Sequence, residues 1–348
     1  MAKPAHASRG VRAAAMTIVL YPERLYADDY VEREVFGRKV TVRVADAKTL
    51  ADLTDAECAD VEGLMTLGMW VRAADIARFP RLRAIVRMGV GYDRIDREAA
   101  AARDILVCNV PDYGTTEVAD HAMALALALR RGIALHHDLQ RGPAPAPWKS
   151  ITTPLIRRSN VQTFGIIGLG RIGIAVALRA KAFGFKVSFF DPYRPNGSEL
   201  ALGIHRARSL QSLLLQSDVL SVHAPLTPET RGMLGLAELS VLPYGAVVVN
   251  TARGPIIDID ALGALLREGH IAGAGLDVLP VEPPVAPEPD LLTAYRAGEE
   301  WLRGRLVITP HSAFHTPEAW DDIRRKSAET MAAALAGNPQ NVITPDMF

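Results

Sequence analysis

Cysteine is nearly absent from this chain: its 348 residues include only Cys58 and Cys108. Two cysteines are too few for a disulfide framework, and neither lies in a spacing typical of metal ligands. The composition therefore excludes a disulfide-stabilised secreted domain and predicts no metal site. It fits a reducing, cytoplasmic location.

Net charge and long apolar runs are lacking as well. The 39 basic residues balance 39 acidic ones, and no block of Lys and Arg is long enough to follow a phosphate backbone. No apolar run approaches the roughly 18 to 20 residues that a membrane-spanning helix needs. We therefore expect neither a nucleic acid nor a membrane as a direct partner.

The chain does contain an alternation of short β-type runs and amphipathic stretches, which indicates an α/β fold with largely parallel sheets. With 348 residues, 49% of them apolar, it is long enough for two domains with separate cores. Long helices are predicted at Thr115–Arg130 and 317–336, and residues 1–15 are expected to be a disordered extension. The β-type runs lie at Thr17–Tyr21, Val40–Val44, 82–86, 105–108, 164–167, Lys186–Phe190, 218–222, 245–250, 271–277 and 305–309.

The glycine-rich sequence GLGRIG, at positions 168–173, directly follows an apolar run and opens a helix-like stretch. This strand–turn–helix context is what a dinucleotide-binding fingerprint requires. Gly168 permits the tight turn, Gly170 lets the backbone approach a pyrophosphate, and Gly173 lets the helix pack on the strand. The phosphates would then face the N–H groups at the helix N-terminus. The sequence therefore predicts a bound dinucleotide.

Asp191 closes the next apolar run, eighteen residues past Gly173. An acid at this place accepts hydrogen bonds from the adenosine ribose, and its charge repels a 2′-phosphate. NAD is therefore expected rather than NADP. Arg194 leaves NADP open as the alternative, because an arginine near the acid can accommodate a 2′-phosphate. Otherwise it is a solvated loop residue or stacks on adenine.

Three polar residues follow apolar runs in the second half of the chain: Arg253 in NTARGP, Glu282 in DVLPVEP and His311 in TPHSA. Ligands of an open α/β sheet bind outside the carboxyl ends of its strands, so the three residues are candidates for one shared site. A cation for a substrate carboxylate, an imidazole to move a proton and a carboxylate beside it suit chemistry next to a nicotinamide. Each residue alone also has an ordinary explanation as a surface or loop side chain.

The order of these motifs resembles that of the D-isomer-specific 2-hydroxyacid dehydrogenases, across essentially the whole chain from Met16. Within that family, the segment 178–185 and the sequence DPY at 191–193 are most similar to the branch that contains the C-terminal-binding proteins. The resemblance implies two doubly wound, parallel-sheet domains of the Rossmann or flavodoxin type, with a cleft between them. Residues 16–112 and 315–348 would form the substrate domain, and residues 113–314 the NAD-binding domain.

The resemblance also implies a mechanism, and no catalytic position is substituted. Arg253 would pair with the carboxylate and carbonyl oxygen of a 2-oxoacid and polarise the carbon that receives hydride. His311 would donate the proton to the forming alkoxide, and Glu282 would favour the charged form of the imidazole. The product is a D-2-hydroxyacid, and in the reverse direction neutral His311 is the base.

Further cofactor contacts follow from the resemblance. The loop 224–230 would border the adenosine, Thr251 and Ala252 the nicotinamide ribose, and Asp277 the carboxamide. Ordinary turn chemistry would also explain an aspartate at this strand end. The full set of implied cofactor contacts is Gly168, Gly170, Arg171, Ile172, Gly173, Asp191, Ala224, Pro225, Thr230, Thr251, Ala252, Arg253, Asp277 and His311.

The sequence RMGVGYD at 87–93 resembles the family's glycine loop, whose backbone N–H groups hold the substrate carboxylate. A plain strand-ending turn explains it equally well.

Phe314 falls where the C-terminal-binding branch carries a Trp that faces the substrate. Together with other apolar residues, Phe314 would form an apolar pocket for the substrate side chain. Such a pocket would favour 2-oxoacids with alkyl, aryl or thioether tails over glyoxylate. Its expected lining is Phe314, Met65, Leu67, Met69 and Trp70, and the implied substrate contacts are Val90, Gly91, Arg253, His311 and Phe314.

Two other functions stay open. A dinucleotide-sensing, corepressor-like interaction protein of the C-terminal-binding type keeps the same catalytic residues, and a phosphite dehydrogenase presents the same trio to another anion. The lack of a long disordered tail and of a clear nuclear-targeting basic cluster favours the enzyme. The resemblance further implies a homodimer, formed through the coenzyme domains with help from the helix at residues 115–131, although burial within one subunit explains the apolar face of that helix equally well.

Overall fold

The computed structural model of the protein describes residues 16–141 and 145–347. The predicted disordered extension, residues 1–15, lies outside the described residues. Within the described ranges, no helix combines the length and the apolar character that a membrane span requires.

The described residues form two compact units. The first unit comprises residues 16–113 and 321–347, and the second unit comprises residues 114–320. Each is built on one sheet whose recorded strand pairs are all parallel. The fold class that the alternating pattern predicts, two parallel-sheet α/β domains, is therefore confirmed.

The first unit has a five-stranded sheet in the order β2-β1-β3-β4-β5. Its strands are β1 Thr17–Tyr21, β2 Val40–Val44, β3 Val61–Thr66, β4 Ala84–Arg87 and β5 Leu106–Asn109, and its short helices are α1 Tyr30–Phe36, α2 Asp55–Cys58, α3 Ala73–Ala77 and α4 Arg97–Ala101.

The second unit has a seven-stranded sheet in the order β12-β11-β10-β9-β6-β7-β8. Its strands are β6 Thr163–Ile167, β7 Lys186–Phe190, β8 His205–Arg206, β9 Val219–Val222, β10 Ala246–Asn250, β11 Ile271–Leu276 and β12 Leu306–Ile308. Its helices are α5 Thr115–Arg130, α6 Ile133–Arg141, α7 Arg171–Ala182, α8 Ser198–Leu202, α9 Leu210–Leu214, α10 Leu236–Ser240, α11 Ile259–Glu268 and α12 Asp290–Arg296; α13, Pro317–Leu335, begins here and continues into the first unit.

The sequence patterns did not predict strand β3, which is the longest strand of the first sheet. Its sequence, VEGLMT, interrupts an apolar run with Glu62 and Gly63, yet every residue is buried. Two arginines compensate the acid: Arg81 lies 2.9 Å and Arg83 3.1 Å from its carboxylate oxygens. Gly63 leaves room for the Met331 side chain, whose sulfur would lie 2.7 Å from an added Cβ.

A buried ion pair joins the last helix to the first helix of the first unit. Arg324 on α13 lies 2.6 Å from Glu32 on α1, and both side chains are at least nine-tenths buried. Asp28, 2.9 Å away, and the ring of Tyr26 complete the environment of the guanidinium. Because breaking a buried pair leaves an uncompensated charge, this contact ties the chain's end to its beginning.

Helix α5 packs tightly on the second sheet. Its buried face, which includes Ala122, Leu125 and Leu129, belongs to the same core as strands β6, β7 and β10. An added Cβ at Gly275 of β11 would lie 2.9 Å from the Cβ of Leu125, so glycine is needed at this close approach. Burial within the unit thus accounts for the apolar face of α5.

Arg130, at the end of α5, is a buried cation that binds backbone oxygens. Its guanidinium donates to the carbonyl oxygens of Gly245 at 2.9 Å, of Pro154 at 3.2 Å and of Asp218. Burial lowers the pKa of Arg130 to about 10. The side chain therefore connects α5 to the segments that lead into β9 and β10.

We expect Arg130→Met to lower the free energy of unfolding by about 2 to 4 kcal/mol, because buried carbonyl oxygens would lose their donors. Urea unfolding followed by circular dichroism measures this. Arg131→Met, one residue on and exposed, is the matched control. Equal losses in the two variants would contradict the structural role of Arg130.

Candidate functional site: nucleotide loops and a histidine–glutamate pair

The polar loops of the second unit meet at one edge of its sheet. Because all strands are parallel, the segments that follow β6, β7, β9, β10, β11 and β12 lie at the same edge. Strand β6 has β7 on one side and β9 on the other, so the strand order reverses there. Such a switch point is where dinucleotides bind in doubly wound folds.

The glycine loop after β6 has the geometry of a nucleotide cradle. Gly168 has a φ of +88°, and an added Cβ would lie 2.7 Å from the backbone nitrogen of Ala224. An added Cβ at Gly173 would lie 2.1 Å from the Gly168 oxygen, so only glycine lets α7 start this close to the loop. An added Cβ at Gly170 would lie 3.9 Å from its nearest neighbour, the Arg194 guanidinium. This position leaves open space in front of the N-terminus of α7, where a phosphate would be favourable.

Asp191 organises the loop after β7. One carboxylate oxygen accepts the N–H of Leu169 at 2.8 Å, and the other accepts the N–H of Tyr193 at 3.0 Å. Arg194 lies 3.8 Å from the first of these oxygens. A carboxylate has about four acceptor positions, so Asp191 retains capacity for ribose hydroxyls.

The loop after β9 packs against the glycine loop and is braced internally. Thr230 donates its hydroxyl to the Pro225 carbonyl at 2.6 Å and accepts the N–H of Thr227 at 2.8 Å. His223, which precedes this loop, lies 2.8 Å from the Ser221 hydroxyl. Burial lowers the pKa of His223 to about 3, so the ring is neutral. Nothing in the sequence pattern singled out this histidine.

Thr251 and Ala252, after β10, lie beside the Asn250 side chain. Asn250 is buried; its amide accepts the N–H of Ala252 at 3.0 Å and donates to the carbonyl of Arg253 at 2.9 Å. The Thr251 hydroxyl is buried and has no hydrogen-bond partner among residues 16–141 and 145–347. A buried hydroxyl of this kind is one that a bound ligand can satisfy.

His311 and Glu282 form a direct pair. The Nδ1 atom of His311 lies 2.6 Å from Oε2 of Glu282, and Oε1 of Glu282 accepts the N–H of Leu279 at 2.8 Å. Burial raises the pKa of Glu282, but the hydrogen bond and charge of His311, the Leu279 N–H and the charge of Arg253 outweigh it, so the pKa lies below its usual value. An ionised Glu282 accepts a proton-bearing Nδ1, which leaves Nε2 as the nitrogen that exchanges a proton.

The Arg253 loop and the Glu282 loop are in contact. An added Cβ at Gly254 would lie 2.0 Å from the Leu279 carbonyl carbon. Arg253 itself donates to the Ala252 carbonyl at 2.7 Å. The structure therefore brings all three predicted catalytic residues to neighbouring loops at one sheet edge.

The backbone of His311 is held in an unusual conformation by Asp277. His311 has a φ of +52°, a left-handed value that is uncommon outside glycine. Its N–H donates to the Asp277 carbonyl at 2.7 Å. The Asp277 carboxylate, 1% exposed, accepts the N–H groups of Ser312 at 2.9 Å and Ala313 at 3.0 Å and the Thr309 hydroxyl at 2.6 Å. Asp277 thus fixes the loop that carries His311, a role that the sequence analysis did not foresee.

A second histidine, His121 on α5, supports the same loop. Its Nε2 atom lies 3.0 Å from the Thr309 hydroxyl and 3.8 Å from the Asp277 carboxylate. Its signal in the sequence is weak, because it lies within a helix far from the catalytic motifs.

In the first unit, the predicted substrate loop follows β4. Gly89 has a φ of +144°, and its carbonyl accepts the N–H of Val110 at 3.1 Å. Asn109 donates to the Val90 carbonyl at 2.7 Å, which fixes the peptide that precedes Gly91. The N–H groups of this loop are the proposed carboxylate donors.

The residues expected to line an apolar pocket have different environments. Met65 is 1% and Met69 8% exposed, so both pack in the core of the first unit, whereas Trp70 is 52% exposed. In the second unit, the Phe314 ring lies 6.1 Å from the His315 ring and 6.4 Å from that of Trp320. Burial thus removes Met65 and Met69 from the expected lining.

No cluster of His, Cys, Asp or Glu within the described part of the chain is arranged to hold a metal ion. The donors at the sheet edge are instead backbone N–H groups, hydroxyls, an imidazole and carboxylates. This set suits an organic ligand that carries phosphate and hydroxyl groups.

Fold and loops together define a doubly wound α/β protein with a Rossmann-type nucleotide cradle. The chain belongs to the D-isomer-specific 2-hydroxyacid dehydrogenase family, whose NAD-binding-domain model matches residues 123–313. The family expected from the sequence is thereby confirmed. The matched residues lie within the second unit.

The chain is similar to D-3-phosphoglycerate dehydrogenase of Mycobacterium leprae, with 36% identity over 329 residues, which are 91% of this chain and 57% of that protein. The chain thus spans a little over half the length of this relative. It is also similar to the structure of Aquifex aeolicus D-lactate dehydrogenase complexed with NAD and lactic acid (TM-score 0.78, 26% identity, 92% and 96% of the two chains covered). A third relative is the NADPH-dependent glyoxylate/hydroxypyruvate reductase of Sinorhizobium meliloti, complexed with NADP and malonate (TM-score 0.80, 29% identity, 94% and 97% covered).

Replacing Asp277 with Asn should loosen the His311 loop. The two carboxylate oxygens accept the N–H groups of Ser312 and Ala313, whereas an amide has only one acceptor oxygen. We expect a loss of about 1 to 3 kcal/mol in the free energy of unfolding and faster amide hydrogen exchange at Ser312 and Ala313. Asp260→Asn, an exposed acid of α11, is the control. Unchanged exchange at both amides would show that Asp277 does not hold the loop.

Proposed function

We propose that the protein is a nicotinamide-dependent oxidoreductase that interconverts a small 2-oxoacid and a D-2-hydroxyacid. The observation that carries the proposal is the 2.6 Å pair of His311 and Glu282, beside the Arg253 loop and at the same sheet edge as the nucleotide cradle. Family membership and the names of the three relatives support the same reaction class.

Each residue of the trio has a separate task. The Arg253 guanidinium binds the substrate carboxylate and polarises the neighbouring carbonyl. His311 gives a proton from Nε2 to the oxygen that becomes the hydroxyl, and takes it back in the oxidation direction. Glu282 keeps the proton on Nδ1 and offsets the charge of the imidazolium. The bound nicotinamide supplies or accepts the hydride.

We assign the second unit to nicotinamide dinucleotide binding and the first to substrate binding. In the first unit, the N–H groups of Val90 and Gly91 are proposed as further donors to the carboxylate. In the second, Thr251 is proposed to bind a ribose hydroxyl and Asp277 the carboxamide, in addition to its role in the His311 loop.

NAD is the cofactor we propose, with Asp191 as the residue that decides it. Its carboxylate follows β7 and disfavours a 2′-phosphate. The relatives include one complexed with NAD and one with NADP, so the preference depends on the residues of this chain.

The substrate is proposed to carry an apolar tail. Phe314, in the second unit, is an aromatic residue with accessible surface. Such a ring favours an alkyl, aryl or thioether group over the hydrogen of glyoxylate. A single methylene changes such selectivity by roughly 1 to 3 kcal/mol, so a substrate panel resolves it.

A second copy of this chain is the macromolecular partner we propose. Helix α6 buries none of its residues, and Trp148, seven residues beyond it, is 93% exposed.

Both cysteines are free thiols, which fits work in a reducing compartment such as the cytoplasm.

Activity is tested by following NADH oxidation with a panel of 2-oxoacids. We expect His311→Ala to lower kcat/KM by about 10²- to 10⁴-fold, because a general acid contributes that much, while NADH affinity changes little. His205→Ala, an exposed histidine of β8, should match the unchanged protein. Full turnover in His311→Ala would refute the assignment, and tight NADH binding without turnover on any oxoacid would favour a dinucleotide-sensing interaction protein.

The dimer is tested by light scattering. We expect a mass of about twice that of one chain, shifted towards one chain by Trp148→Ser, because a polar side chain weakens an apolar interface. Leu200→Ser, which changes an 80% exposed leucine of α8, should leave the mass unchanged. A single-chain mass for the unchanged protein would exclude the dimer.

A further inference from the structure

A hydrogen bond joins the two loops on either side of the nucleotide cradle. The Tyr193 hydroxyl, after β7, donates to Oε2 of Glu229, after β9, at 2.5 Å. Strands β7 and β9 flank β6 in the sheet. The ends of β7 and β9 are two strand spacings apart, or about 10 Å. The bond therefore connects the loops on the two sides of the segment that follows β6.

Tyr193 is held in place by the acid that we assign to the ribose. Its N–H donates to Asp191 at 3.0 Å. Arg206 fixes the same loop from β8: it donates to the Pro195 carbonyl at 2.7 Å and lies over the Phe189 ring at 4.8 Å. The backbone that carries Tyr193 is thus fixed by contacts other than that of its hydroxyl group.

Glu229 is held equally well. It lies between Thr227 and Thr230, whose hydroxyl and backbone groups close the loop on itself. Two braced loops place donor and acceptor within reach without further ordering. Little conformational entropy is lost when the bond forms.

The contact is poorly explained as a stabiliser of the fold. Tyr193 is 60% exposed and Glu229 is exposed, and solvent-exposed polar pairs contribute little to stability. The hydrogen bond to Glu229 raises the pKa of Tyr193, so the hydroxyl remains a protonated donor. Its position, between Asp191 and the loop 224–230, is where the adenosine half of a dinucleotide is expected.

We propose that Tyr193 and Glu229 form a strap across the adenosine half of the nucleotide site, and that Glu229 adds a second negative charge to that of Asp191. The inference rests on the proposed dinucleotide-binding role of the second unit. Both are positioning residues: the strap slows release of the adenosine half, and the added charge disfavours a 2′-phosphate.

Two arginines of the loops around Tyr193 lie beside acids. Arg194 lies 3.8 Å from Asp191, and Arg206 lies 2.9 Å from Glu199. A 2′-phosphate at this place would meet two carboxylates, Asp191 and Glu229. Removing one carboxylate should change the ratio of NADPH affinity to NADH affinity measurably.

Two variants separate the strap from the charge. Tyr193→Phe removes the hydroxyl and keeps both the ring and the charge of Glu229, while Glu229→Gln keeps an acceptor oxygen and removes the charge. Tyr244→Phe and Glu268→Gln, at exposed positions of the same unit, are matched controls. Binding of NADH, NADPH and ADP-ribose is measured by fluorescence titration and stopped flow, and thermal melting verifies that each variant is folded.

We expect Tyr193→Phe to speed the dissociation of NADH and ADP-ribose by about three- to tenfold, as for the loss of one hydrogen bond. Glu229→Gln should leave the NADH Kd within about twofold and improve NADPH binding by about two- to fivefold, as for one exposed charge. Dissociation rates equal to those of Tyr244→Phe would overturn the strap. An unchanged NADPH-to-NADH ratio in Glu229→Gln would overturn the charge effect.

These outcomes are independent of the reaction. If the unchanged protein binds NADH but reduces no 2-oxoacid, the proposed activity fails and a faster release in Tyr193→Phe still supports the strap. If it binds neither NADH nor ADP-ribose, the dinucleotide role and the strap both fail.

Discussion

Parallel strands place all their carboxyl ends at one edge of a sheet, and this constraint decides where every functional loop of the second unit lies. Because β6 to β12 all run the same way, residues as distant in sequence as Asp191 and His311 end up on one edge. The order of strands then sets their spacing along that edge. The nucleotide loops follow β6, β7 and β9, and the loops with Arg253, Glu282 and His311 follow β10, β11 and β12.

A buried carboxylate, that of Asp277, fixes the loop of His311 at the β12 end of the sheet. Asp277 accepts three hydrogen bonds from the segment around His311, and its own carbonyl accepts the His311 N–H. These contacts offset the cost of a left-handed backbone at a residue with a side chain. Glu282 then fixes the ring through Nδ1. The orientation of the imidazole is therefore determined by two acids, one acting on the backbone and one on the ring.

Local patterns predicted much of this and could not predict the rest. The glycine fingerprint, the near-continuous apolar strands and the family motifs each depend on neighbours in sequence, so they indicated the fold, the family and the loops of Arg253, Glu282 and His311. Strand β3 was missed because Glu62 looks like a solvent residue until Arg81 and Arg83, from a later segment, are seen beside it. The bracing by Asp277 and the contact of Tyr193 with Glu229 join loops of different strands, and no spacing along the chain encodes such contacts.

The strand order also separates the charge at Asp191 from the charge at His311. Asp191 follows β7 and His311 follows β12, five strand positions apart in the sheet, or about 24 Å at the usual strand spacing. Charges this far apart at a solvated edge are screened over a Debye length of about 8 to 10 Å. A change of charge at the Asp191 end of the sheet therefore has little electrostatic effect on His311. The charge pattern at that end can be changed, for instance to favour a different dinucleotide, without changing the electrostatic environment of His311 and Glu282 at the other end.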